Sequence, residues 1–279
     1  MTTPKWPLAL LVLTGCAPTM DSNLTKNQAP ASVHAITLAY GEGPAHVLDL
    51  YVPSQKKGGP LVVFVHGGAW QSGSRHEYDG VCIALMKQGI AAAAVDYRLS
   101  PGVVHPAHAE DVANALGLLH RKAATYGYDA GRVFVVGHSA GGHIAATIAT
   151  DSKLLALAKP AGFVGLEGIY DIPALAKRWP TYPDWFLKKA FGADAAAWPK
   201  ASPTRLKLHS KRPWLIVHST GDELVDAGQA EGFADHLKQS GVQVEMIRPE
   251  GKTHFGVITS LADPADEVTK AIVKFVSAG

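Results

Sequence analysis

Residues 132–150 read RVFVVGHSAGGHIAATIAT, and no other stretch narrows the possible folds as far. An apolar, β-branched run at 133–136 leads into Gly137-His138-Ser139-Ala140-Gly141, and an alanine-rich, helix-compatible segment follows. The pattern predicts a strand, a sharp turn and a helix. Ser139 stands at the apex, with glycines two residues to either side so that strand and helix pass without colliding side chains. A serine so placed sits at a helix N-terminus, whose free amides and dipole favour negative charge. Such charge develops when a serine oxygen attacks a carbonyl.

The remainder of the chain fits around that element as alternating strands and helices. Strand-like runs fall at 33–40 and 46–52, joined by Gly41-Glu42-Gly43-Pro44 as a hairpin, and again at 61–66, 90–97, 163–166, 214–219 and 242–248. Helices are predicted over 74–88, opened by the capping pattern Ser74-Arg75-His76-Glu77, and over 108–126, 229–239 and 264–276. This alternation demands an α/β fold with a mostly parallel central sheet and helices on both faces, formed as one domain by residues 33–279. A hydrophobic share of 47% is ample for its core. Residues 173–203 change character: Trp179, Tyr182, Trp185, Phe186, Phe191 and Trp198 occur among several prolines. They predict a small aromatic-rich lid over the carboxyl edge of the sheet, packing on the domain and lining a pocket.

Other chemistries find little support. A net charge of +2 gives no footprint for nucleic acid. The 13 histidines and 2 cysteines form no HExxH or CxxC-type pattern, so no metal site is expected, and Cys82 reads as a packed core thiol. Ahead of the domain, residues 1–16 carry Lys5, an apolar run at 8–13 and then Leu13-Thr14-Gly15-Cys16, the layout of a short secretory signal. The run is too short to span a bilayer as a helix. Residues 17–32 are polar and proline-punctuated, as in a flexible linker.

The serine needs a base, and the base needs a carboxylate to hold its tautomer. His254 and Asp222 each lie just beyond the end of a predicted strand, where open α/β sheets bind ligands. Asp226 competes with Asp222 as the acid, and His218 and His236 compete less well as the base because one falls within a strand and the other within a helix. Just after the strand at 61–66 comes His66-Gly67-Gly68-Ala69-Trp70. The backbone amides of Gly68 and Ala69, with that of Ala140 beside the serine, are the expected oxyanion donors.

HGGAW, DYRLSP, YGYDAGRVFVVGHSAGGH, GIYD, HSTGDELVD and the final THF together resemble the esterase branch of α/β-hydrolases that includes hormone-sensitive-lipase-like esterases and kynurenine formamidases. The resemblance runs from about residue 33 to 275 and implies an α/β-hydrolase fold, a Ser139–His254–Asp222 triad, and neither metal nor organic cofactor. Ala69 stands where many lipase-like members have a third glycine and matches the HGGxW form of formamidases and of feruloyl or acetyl esterases. Three readings follow: a carboxylesterase acting on small-molecule acyl esters, an arylformamidase, and a catalytically silent binding lipoprotein. The LTGC tetrad resembles a bacterial lipobox, which implies lipidation at Cys16 and a membrane anchor. Ala17 after it resembles the sorting signal for the periplasmic side of the outer membrane, against the alternative of a cytoplasmic protein with a loose leader.

Overall fold

The computed structural model describes residues 35–54 and 58–278. The expected signal segment with Cys16, and the linker at 17–32, lie outside the described residues. In chain order the elements are β1 (Ile36–Ala39), β2 (Val47–Tyr51), β3 (Gly59–Val65), α1 (Asp79–Lys87), β4 (Ala91–Val95), α2 (Ala107–Tyr126), β5 (Tyr128–His138), α3 (Ala140–Thr150) and α4 (Ser152–Ala158). They continue with β6 (Gly162–Leu166), α5 (Ile172–Arg178), α6 (Lys188–Phe191), β7 (Trp214–Val217), α7 (Ala227–Gln239), β8 (Val244–Ile247), α8 (Gly256–Thr259) and α9 (Glu267–Ala278).

The strands form one sheet in the order β1-β2-β4-β3-β5-β6-β7-β8. β1 and β2 pair antiparallel, as the glycine-rich hairpin predicts, β2 joins β4 antiparallel, and every pairing from β4 through β8 is parallel. The central strands are apolar along their whole length because both faces are covered. In β3, Leu61 to Val65 are at most 1% exposed, and each such side chain contributes roughly 1.5–3 kcal/mol on burial. On one face Val81, Cys82, Ile83 and Leu85 of α1 pack with Val268, Ile272 and Val276 of α9. On the other, α2, α3 and α7 supply Val112, Leu116, Ile144, Ile148, Phe233 and Leu237.

The predicted helix at 74–88 is two pieces. Ser74 caps a 3₁₀ turn at Arg75–Tyr78, its hydroxyl accepting from the turn and the Glu77 carboxylate accepting the Ser74 amide in return, and α1 starts only after that turn. The capping signal is therefore real, but the turn it opens is the tighter one. Arg75 within it reaches the carboxylates of Asp49 on β2 and Asp96 after β4, which tie the turn to the sheet.

Candidate active site

At the end of β5 the chain reverses into α3 within one residue. Ser139 takes φ 53° and ψ −117°, a conformation that costs a non-glycine residue about 1–3 kcal/mol and that only close packing around it can hold. The flanking glycines make the turn possible by leaving no room for anything else. A Cβ on Gly137 would fall 2.2 Å from the Gly141 carbonyl oxygen, and one on Gly141 would fall 2.1 Å from that of Val65. The Ser139 amide donates to the Leu166 carbonyl at 2.8 Å, which ties the apex to β6. Ser139 itself is 7% exposed.

The loop after β3 presses against this apex: a Cβ added at Gly67 would lie 3.1 Å from the Ser139 Cβ. Ala69 and Trp70 take φ 51° and 59°, which rotates their peptide units out of the ordinary run of the chain. The amides of Gly68 and Ala69 donate to no other group among the described residues. Ala140, as the first residue of α3, has an amide that the helix cannot use. Tyr97 holds the loop from behind. Its hydroxyl donates to the His66 carbonyl at 2.9 Å, and its ring stacks on the His66 ring at 4.2 Å.

The residues expected as acid and base lie beyond the ends of β7 and β8. Asp222 Oδ1 accepts the amides of Leu224 and Val225, at 2.8 and 2.9 Å, which leaves Oδ2 to accept from His254 Nδ1 at 2.8 Å. With its proton on Nδ1, the imidazole keeps Nε2 free as a base. Burial works against the Asp222 charge, but the hydrogen bond and charge of His254 outweigh it and hold the carboxyl below its ordinary range. The elbow and the base meet through His138, whose Nε2–H donates to the His254 carbonyl at 3.1 Å and whose ring packs 4.7 Å from the His254 ring. Burial pushes His138 well below the usual histidine value, so it stays neutral there.

The competing residues are placed elsewhere. Asp226 caps α7 by accepting the Gly228 amide at 3.1 Å. His236 donates to the Leu206 carbonyl at 2.9 Å, and His218 is buried against Glu167. Cys82 is fully buried and burial raises its thiol well above the ordinary value, as expected of a core thiol.

The aromatic segment does cross the carboxyl edge. Phe191 and Phe186 pack on Trp70 with ring centroids 4.8 and 6.0 Å apart, His143 of α3 donates to the Ala201 carbonyl at 2.8 Å, and Tyr182 donates to the Leu224 carbonyl at 3.0 Å. None of its tryptophans borders the cavity beside the elbow. That cavity, about 120 Å³, is bordered by Gly67, Gly68, Glu77, His138, Phe255 and Ile258, and by no residue of the insertion. Trp198 is instead buried and bonded to Gly192, Trp179 stacks on Tyr182, and Trp185 is 48% exposed. Trp179 and Trp185 both meet Tyr182, and Trp185 also meets Phe186.

Sequence reasoning missed Tyr97, His138, Glu223 and Glu167. Glu223 accepts the His254 amide at 3.1 Å. Glu167 is fully buried just after β6, at the same sheet edge as Asp222. The signal for it was available: a carboxylate directly after an apolar strand, the position that drew attention to Asp222.

The family model described as BD-FAE matches residues 48–237. The kynurenine formamidase of Meyerozyma guilliermondii is 32% identical over 223 residues, which cover 75% of this chain and 82% of that one. The protein named "Probable isoprenylcysteine alpha-carbonyl methylesterase ICMEL1" of Oryza sativa subsp. japonica is 29% identical over 250 residues, 82% of this chain but 58% of that protein, so the chain spans under two thirds of that relative's length. Among solved structures, esterase B from Lactobacillus rhamnosis superposes with a TM-score of 0.77 at 21% identity, covering 92% of this chain and 89% of that one. That likeness shows the α/β-hydrolase fold.

Proposed function

The chain belongs to the BD-FAE family, and from that premise we propose that it is a serine hydrolase cleaving small-acyl carboxylic esters through an acyl-enzyme intermediate. The observation that carries the reading is the 2.8 Å Asp222–His254 pair beside a serine strained at the apex of its turn. In this mechanism His254 Nε2 takes the Ser139 hydroxyl proton as Oγ attacks the ester carbonyl, and the oxygen that becomes negative is received by the amides of Gly68, Ala69 and Ala140. The imidazolium then gives its proton to the departing alcohol. Water, deprotonated by the same nitrogen, releases the acid and restores the serine.

In this reading the cavity beside Gly68 and His138, which Ser139 and His254 do not line, is the acyl site; at about 120 Å³ it is somewhat smaller than a cavity of about 150 Å³ that accepts benzene. Acetyl to butyryl p-nitrophenyl esters should therefore show the highest kcat/KM. A ratio below one for the acetate over the decanoate rejects the small-acyl reading. A second reading, arylformamidase, is favoured by the 32% identity to a kynurenine formamidase, and N-formylkynurenine in the same substrate panel separates the two. For the cell envelope, lipidation at Cys16 is part of the proposal. Membrane fractionation of the wild type beside Cys16→Ser checks it, and a wild type wholly in the soluble fraction removes it.

A further inference from the structure

Behind the Asp222–His254 pair lies a second layer of titratable groups that the proposed mechanism does not use. Glu167 follows β6 with φ 49° and no exposure to solvent. Its Oε1 accepts the Ser219 amide at 2.8 Å. Its Oε2 stands 2.9 Å from His218 Nδ1, yet without the alignment of a hydrogen bond, so both atoms are buried and unpartnered. The carboxylate of Asp222 completes the group, with one oxygen or nitrogen from each of the three side chains lying within 4.8 Å of the others.

Two carboxylates at that separation in a dry site do not both ionise at little cost. Asp222 is committed to charge by two amides and His254, and this leaves Glu167 as the member that holds a proton. Toward Asp222, whose ionised carboxylate only accepts, a Glu167 oxygen is satisfied only by carrying hydrogen and donating it. The cluster does not have the spacing of a tetrahedral zinc site, since the 2.9 Å between Glu167 and His218 is shorter than the roughly 3.3 Å that two ligands about 2.0–2.1 Å from one tetrahedral metal would keep. Resting on the serine-hydrolase reading, we propose that Glu167, in its protonated form, is a positioning residue that donates a hydrogen bond to Asp222 and fixes the carboxylate that orients His254.

The charges facing this cluster agree. Burial raises Glu167 most, His218 and the Ser219 amide oppose, Asp222 adds to the rise, and the net value is about 7. Burial lowers His218, but Glu167, Asp222 and Asp226 prevail and raise it overall. Tyr170 faces Glu167, its own hydroxyl raised by burial and by that carboxylate, while His138, neutral, and His254 face Asp222 from the other side. Because the folded value of Glu167 is raised, the stability tied to its proton is complete below the ordinary carboxylate range. That stability is lost as pH rises through about 7. The hydrogen bond to Asp222 is lost over the same interval.

The test compares Glu167→Ala and Glu167→Gln with the full-length wild type, using p-nitrophenyl acetate and a serine-directed phosphonate. The alanine variant should lose about ten- to a hundredfold in kcat, the worth of one hydrogen bond to a charged group, with KM little changed. Glutamine can accept from Ser219 and donate to Asp222 at once, so it should restore most of kcat. Wild-type kcat should lose the contribution of this hydrogen bond as pH rises through about 7, and the glutamine variant should lack that loss. A glutamine variant as slow as the alanine one, or an alanine variant with wild-type kcat and pH profile, overturns the proposal while wild-type labelling at Ser139 leaves the hydrolase reading standing. A wild type that neither labels nor turns over overturns both.

Discussion

The elbow around Ser139 and the aromatic insertion that begins with α5 lie over the same sheet edge but are held by opposite means. At the elbow the backbone decides. Two absent side chains, at Gly137 and Gly141, allow a contact near 2 Å from any Cβ, and a strained serine is the product. In the insertion the side chains decide. Rings of Tyr182, Trp185 and Phe186 pack edge-on or tilted against one another and, through Phe186 and Phe191, against Trp70, while the backbone passes through short α, 3₁₀ and π turns. Backbone constraint of the first kind concentrates chemistry at one atom, whereas packing of the second kind spreads stability over many.

That contrast breaks if a change at the elbow alters the fold or a change in the insertion abolishes the chemistry. Ser139→Ala should cost on the order of a million-fold in kcat and leave the melting temperature at or above the wild-type value, because it removes the nucleophile. Persistent phosphonate labelling would show that the nucleophile lies elsewhere. Asp222→Asn should cost about ten-thousand-fold by favouring the wrong imidazole tautomer. Asp226→Asn should change kcat only slightly, since asparagine caps α7 as well as aspartate does. The reverse ranking would move the acid to Asp226.

On the insertion side, Phe186→Ala should lower stability by about 3–5 kcal/mol, measured by urea unfolding, because the ring is 3% exposed and fills space against Trp70. Trp185→Ala, at 48% exposure, should stay within about 0.5 kcal/mol. A large loss of kcat in Trp185→Ala, with stability intact, would instead assign that ring to the substrate.

The same difference explains what could be read in advance. The elbow, the hairpin and the parallel core follow from rules that act over a few residues: glycine at a turn, apolar runs, strand and helix periodicities. The placement of Ser139, Asp222 and His254 was legible because each stands just beyond a strand end, a position that sequence periodicity locates. Glu167 stands at such an end as well, but its partners come from a different strand and loop, so the cost of its burial was visible only once β6 and β7 lay side by side. The tryptophans were legible as a lid and not as to their facing, because a ring's direction depends on which distant ring it meets.

The His138–His254 contact joins residues 116 positions apart, and it has a consequence for timing. The strained turn draws its supports from the chain up to Ile169, yet the base hangs on a loop that follows β8, the last strand to be made and the outermost on its side of the sheet. Under the proposed mechanism a growing chain therefore carries Ser139 well before His254 is made to take its proton, and a molecule truncated before His254 should be born inert.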